Sequence, residues 1–406
     1  DGAGIDYSAS YAENDLPINV VDSDATISDV DSASFSRLDI NLGGFSDGSN
    51  ERIRINGVLF NFGVASNVNT VVGSTTFEID FDNSDFTITE ASNGAIAQAD
   101  LQTLLRTISY ENTSDNPTVA NRTFSIVPAD NSAVSASPAA VSTISVTASN
   151  DAPVLDNSGD LRLATISEDD TNNAGMTVSD MLASDSGTPI SDSDNASLEG
   201  IAVTSKTNGR GIWEYSLDGG TTWGSVGTVS QTESLLLRDS DLIRFAPNGN
   251  NGTTSDRSMD FHAWDQSSGT AGTKVDTTSR GATSAFSTAT ETVSISTTDV
   301  NDAPVLDNNA IAFTNVRPED SGAPVGAVGT LVSDYVQLGN WVTDVDASAQ
   351  PGVAIVDSNT DNGNWWYSID NGTTWNDLGE VSESSARVLQ ADSNARVYFE
   401  PHSDFN

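Results

Sequence analysis

The chain has 406 residues, 58 of them Asp or Glu against 16 Lys or Arg, for a formal net charge of -42 at pH 7. A surface of that sign repels nucleic acid and anionic membrane and resists its own compaction unless cations bind. With no cysteine, the chain has no disulfide, thiol catalyst or cysteine zinc site, and its length suits three or four domains rather than one.

Hydrophobic residues form 36% of the sequence and fall in alternating runs, which argues for folded β-structure and against acidic disorder. In chain order, period-two alternation predicts strands over Phe35 to Leu42, Arg52 to Ile55, Phe77 to Phe81, Arg122 to Val127 and Val141 to Thr147. One short helix is expected at Asp100 to Leu105, where Leu101, Leu104 and Leu105 share a helical face. Further strands are expected at Met259 to Trp264 and Thr292 to Ser296. Antiparallel pairing is expected throughout. No run reaches the roughly 18 apolar residues of a membrane-spanning helix, and the chain opens at Asp1 with no signal peptide.

The sequence repeats. Asn-Asp-Ala-Pro-Val-Leu stands at Asn150 to Leu155 and again at Asn301 to Leu306. After each copy come an acidic pair (Glu168-Asp169, Glu319-Asp320), an Asp-x-Asp (Asp192 to Asp194, Asp344 to Asp346), a tryptophan hairpin (Trp213 to Trp223, Trp366 to Trp375) and an aromatic-x-Pro segment ending at Pro247 or Pro401. The first 149 residues lack the hairpin but keep Glu13, Asp29-Val30-Asp31 and the closing Asn-Asp-Ala-Pro. Three domains follow: a divergent repeat over 1–149, a full one over 150–300 and a partial second copy over 301–406.

The string Asp299-Val-Asn-Asp-Ala-Pro304 resembles the cadherin interdomain linker. The resemblance implies all-β, tandem Ig/cadherin-like antiparallel β-sandwich domains with Ca²⁺ ions between them. Carried over by position, the first junction takes Glu13, Asn150, Asp151, Asp192, Asp194 and Asp265. The second takes Glu168, Asp299, Asn301, Asp302, Glu319, Asp344 and Asp346. Asp29, Asp31 and Asp130 are expected to serve a junction before Asp1. A dense carboxylate frame suits Ca²⁺, a hard ion that takes six to eight oxygens. The first linker reads Ala148-Ser-Asn-Asp and lacks the leading carboxylate, and no equivalent of the cadherin Asp-Arg-Glu stands out. Weaker binding is therefore expected at the first junction.

Ser216 to Trp223 and Ser368 to Trp375 fit the Asp-box of sialidases and other β-propellers, but Asp218 and Asp370 are too far apart for propeller blades of about 40 to 50 residues. The box implies a hairpin and no catalysis. Only two histidines exist, His262 and His402, with no nucleophile motif beside them. His262, in an alternating run, is expected at a strand surface or edge. Trp213, Tyr215 and Trp223 are expected to be core around the hairpin rather than a sugar platform.

The expected protein is not an enzyme. The resemblance implies a calcium-rigidified spacer or adhesion segment of a large bacterial surface protein of the RTX-adhesin type, extracellular, with the flanking repeats of the same chain as its partners. The alternatives are a carbohydrate-binding or cell-cell recognition module, and a filament subunit joined by strand addition.

Overall fold

A computed structural model describes residues 6–30, 32–130, 135, 138–184, 189–194, 198–307, 317–336 and 341–403. The regular secondary structure is almost entirely strand. Alternating β-branched and aromatic residues put one face of each strand into a core and the other outward.

In residues 7–147 an eight-stranded sheet faces a four-stranded one. The larger sheet runs in the order Tyr7–Ala12, Ala140–Thr147, Asn121–Asp130, Ser34–Gly43, Asp85–Glu90, Thr75–Phe81 and Ser66–Val72, with Ile96–Ala97 also pairing Ser34–Gly43. The smaller contains Glu51–Ile55 and Ser109–Asn112 at its centre. Between them lie Phe77, Phe86, Ile88, Ile53, Phe60 and Tyr110, with Leu101, Leu104 and Leu105 from the helix Gln98–Leu105. A buried ion network crosses this core. Arg122 donates through Nε to Glu51 and through Nη2 to Asp47 at 2.9 Å, and the Tyr110 hydroxyl donates to Glu51 at 3.0 Å.

Residues 154–298 form a second such stack. Its seven-stranded sheet centres on Glu291–Thr298, Thr253–Ala263, Gly200–Lys206 and Ser234–Arg238. The facing four-stranded sheet has the order Met176–Thr177, Leu242–Pro247, Gly211–Ser216, Gly224–Ser225. In the third unit the order Thr330–Leu331, Arg396–Pro401, Gly363–Ser368, Asn376–Asp377 repeats that smaller sheet. The register repeats too: Trp213 lies opposite Phe245, and Trp365 opposite Phe399. Among the described residues, no helix is long and apolar enough to cross a membrane.

Two expectations are corrected. Pairing is not antiparallel throughout: Tyr7–Ala12 runs parallel to Ala140–Thr147, and Leu161–Arg162 and Ile166–Ser167 run parallel to Glu291–Thr298. In the first two units the parallel edge strand thus leaves the sheet at the same end as the last strand. His262 is not at a surface or edge but 1% exposed in the interior strand Thr253–Ala263. Alternation there does not mean a solvated face, because Ala285 and Phe286 pack with Trp264, Ala202 and Leu236 over the outside of the sheet. The ring is held between two partners, Nδ1 2.7 Å from the Ala289 carbonyl and Nε2 2.9 Å from Arg280 Nη1. As a guanidinium only donates, Nε2 accepts and Nδ1 carries the proton.

Candidate metal centres at the junctions

Parallel pairing brings the first junction together. Glu13 follows the edge strand and lies beside the exit of Ala140–Thr147, with its N–H donating to the Thr147 carbonyl at 2.9 Å. The Ser149 N–H donates to Glu13 Oε2 at 2.9 Å, while Glu13 Oε1 is buried with no hydrogen-bond partner. Beyond the linker, the Asp151 N–H donates to Asp194 Oδ2 and the Asp194 N–H to Asp192 Oδ1, both at 2.9 Å. The Asn150 carboxamide donates to Asp265 Oδ2 at 2.9 Å, and Asp265 Oδ1 accepts from the Ser267 N–H at 2.7 Å.

The second junction repeats this plan. The Glu168 N–H donates to the Thr298 carbonyl at 3.1 Å, and the Val300 N–H to Glu168 Oε1 at 2.7 Å. The Asp302 N–H donates to Asp346 Oδ2, the Asp346 N–H to Asp344 Oδ1, and Asn301 Nδ2 to the Asp302 carbonyl, each at 2.9 Å. Glu168, Asp299 and Asp346 each offer a carboxylate oxygen, and these atoms all lie within 4.8 Å of one another. Oxygens at roughly 2.3 to 2.6 Å from one Ca²⁺ lie within about 5 Å of each other, so the spacing fits a shared hard cation.

Of the other expected ligands, Glu319 is half-buried and keeps one buried oxygen without a partner. Asp29 accepts from the Ser32 N–H at 3.0 Å, and Asp130 is 8% exposed at the end of Asn121–Asp130. These two sit at the end of their unit that corresponds to Asp192, Asp194 and Asp265 in the next. Asp31 lies outside the described residues.

The donor set fits a cation. Among the described residues, every carboxylate oxygen that is buried without a hydrogen-bond partner belongs to this frame: Glu13 Oε1, Glu168 Oε2, Asp192 Oδ2, Asp302 Oδ2, Glu319 Oε2 and Asp346 Oδ1. Buried anionic oxygen without a partner is costly, and a metal ion is the partner that removes the cost for several at once. The electrostatics of the frame point the same way. Burial, then the charges of neighbouring aspartates, raises the carboxyls of Glu13, Asp151, Asp192 and Asp302 above their usual range.

Three residues outside the expected frame join it. Asp115 adds its charge to the field at Glu13 and Asp151. Asn116 and Asn251 each reach across a junction, Asn116 Nδ2 donating to the Ser193 carbonyl at 3.0 Å and Asn251 Nδ2 to the Val345 carbonyl. The signal was present in the sequence: aligning Arg122 with Arg257 and Thr147 with Thr298 sets Asp115 against Asn250, Pro117 against Gly252 and Ala148 against Asp299. The Gly252 N–H donates to Asp299 Oδ1 at 2.8 Å. Pro117 has no N–H and Ala148 no carboxylate, so donor and acceptor are replaced together, and Asp115 restores one negative charge.

The hairpin motifs are turns. Asp218 accepts from the Thr222 N–H at 2.9 Å, from the Thr222 hydroxyl at 2.7 Å and from the Ser216 hydroxyl at 2.8 Å, which hold its carboxyl down at about 2. Asp370 makes the same bonds to Thr374 and Ser368. Trp213 is 0% exposed, whereas Trp223 is half-buried under the Arg244 guanidinium, 4.0 Å from its ring.

No protein-family model matches the sequence, and no curated protein matches it. Among solved structures, the chain is similar to human CDH23 EC21-23, at 13% identity and a TM-score of 0.34, covering 97% of this chain and 96% of that one. It is similar to the protocadherin gammaB7 EC3-6 cis-dimer structure at 10% identity and a TM-score of 0.29, covering 98% of each chain. A third similar structure concerns host cell surface retention of a 1.5-MDa bacterial ice-binding adhesin, at 10% identity and a TM-score of 0.16, over 88% of this chain and 75% of that one. That the units are stacked sheets rests on this chain's own pairing.

Proposed function

We propose that this chain is a calcium-rigidified spacer or adhesion segment of a large extracellular surface protein of bacterial type, in which successive sandwich units are locked end to end. The flanking repeats of the same chain are its partners. The observation that carries this reading is the set of six buried, unpartnered carboxylate oxygens, all of them in the repeated frame at the unit ends. Glu13, Asn150, Asp151, Asp192, Asp194 and Asp265 would hold the ion or ions of the first junction, with Asp115 adding charge. Glu168, Asp299, Asn301, Asp302, Asp344 and Asp346 would hold those of the second, with Glu319 nearby; Asp29 and Asp130 are left for a junction preceding the first unit.

When bound, Ca²⁺ cancels the repulsion among carboxylates of two units and the linker and so ties their relative orientation. Thermal melting and small-angle scattering with and without chelator test this. Calcium is expected to raise Tm and lengthen the maximum dimension, because a ligand held only by the folded state stabilises it. Identical curves in both conditions would sink the reading.

In the third unit a cavity of about 490 Å³ is lined by Ile355, Trp365, Trp366, Leu378, Val397 and Phe399 together with the polar Asp357, Ser358, Asn359 and Asn362. At the matching place in the second unit, Trp213 is enclosed with Met259, Phe261 and Val293 of the strands Thr253–Ala263 and Glu291–Thr298.

A further inference from the structure

Asn116 and Asn251 occupy one position of the repeat, six residues before the buried arginine of the strand that follows (Arg122, Arg257). Each carboxamide grips the same atom of the next unit. Ser193 and Val345 are the central residues of the two Asp-x-Asp turns, and it is their carbonyls that accept from Asn116 and Asn251. At the second junction the Ala347 N–H also donates back to Asn251 Oδ1 at 2.9 Å. Asn251 is 4% exposed and holds a left-handed backbone, φ 50°, a conformation that asparagine tolerates better than most side chains.

The residue type follows from the task. Gripping a carbonyl and an N–H two residues further on needs one donor and one acceptor on a short planar group, which a carboxamide has. Aspartate has no donor and would add charge beside Glu168, Asp299 and Asp346; alanine has neither group. The carbonyl being held belongs to the peptide bond between the central residue and the second aspartate, so the grip fixes the backbone from which that carboxylate projects.

We propose that Asn116 and Asn251 are the positioning residues of the junctions, carboxamide latches that hold the following unit's Asp-x-Asp backbone in place whether or not a metal is bound. The latch rests on hydrogen bonds rather than on the calcium reading, although it predisposes the turn for a cation.

The chain's lack of cysteine allows a clean test. In the full chain, spin labels at Thr232→Cys and Glu380→Cys, both exposed and on either side of the second junction, report its distance distribution. In chelator, Asn251→Ala and the isosteric Asn251→Asp are expected to broaden that distribution relative to the parent, while Asn116→Ala leaves it unchanged. In calcium, Asn251→Ala is expected to weaken binding at the second junction about 10-fold to 100-fold, the usual effect of losing a group that orients metal ligands. A parent that ignores calcium while Asn251→Ala still broadens would end the calcium reading and uphold the latch. Equal widths for the parent, Asn251→Ala and Asn251→Asp in chelator would overturn the latch, whatever calcium does.

Discussion

The Asp302 N–H donates to Asp346 Oδ2 at 2.9 Å, tying the linker to the Asp-x-Asp turn of the unit it introduces. One repeat earlier the same bond, at the same length, joins Asp151 to Asp194. A backbone donor thus takes one oxygen of each aspartate, and Asp346 Oδ1 is left buried without a partner.

Damage to one junction is expected to stay local. Asp302→Ala should weaken calcium binding at the second junction and leave the first near normal, because repeat arrays couple through nearest neighbours. Calorimetric titration, with labels placed across each junction in turn, checks this; equal loss at both counts against it.

Acidity should act on the metal-free chain in two opposite directions. Glu13, Asp151, Asp192 and Asp302 have carboxyls raised by burial and by neighbouring aspartates, so the folded state holds their protons more tightly than the unfolded one. Their contribution is present at low pH and is lost as pH rises from the ordinary carboxylate range through the raised values. His262 is lowered by burial, so its contribution is present above its ordinary value near 6.5 and is lost as pH falls through its lowered value. In chelator, melting of the His262→Phe variant is expected to improve further on acidification than that of the parent; parallel pH profiles would contradict this.

The two matching tryptophans should differ. Trp213 is fully buried and its indole N–H donates to the Thr207 carbonyl at 3.1 Å, so Trp213→Ala should cost about 3 to 5 kcal/mol in the second unit. Trp365 is half-buried at the cavity, and its replacement should cost clearly less. Chemical denaturation of the two variants gives the comparison, and equal losses would contradict it.

The Arg122 network should be all or nothing. Arg122→Met leaves Glu51 buried without its cation and is expected to destabilise the first unit by about 3 to 5 kcal/mol, whereas Arg122→Met with Glu51→Leu should recover much of that loss. A double-mutant cycle read by denaturant unfolding measures the coupling.

Much of this architecture is legible in the sequence because strand alternation and linker motifs are local. Phe77 to Phe81 alternates and forms Thr75–Phe81, and Leu101, Leu104 and Leu105 lie on the buried face of Gln98–Leu105. Alternation places His262 on the outer face of its strand but does not report what covers that face; the groups that enclose the ring, Arg280 and the Ala289 carbonyl, come from a segment 18 to 27 residues downstream. The weaker binding expected at the first junction rests on the missing carboxylate at Ala148 and on the lack of an Asp-Arg-Glu; Asp115, from a different loop, adds a charge there that neither motif signals.

The strands and the recurring order of acidic residues are legible in the sequence, for these are written in spacing and composition along one stretch of chain. Only the tertiary structure decided that edge strands run parallel to the last strands, so that Glu13 and Glu168 meet their linkers, and that Asn116 and Asn251 hold the backbone between the aspartates of the next unit. The reason is physical: parallel pairing and a cross-unit hydrogen bond join residues through the geometry of packed sheets, and an asparagine in a loop has the same local signature whether it faces water or a neighbouring carbonyl.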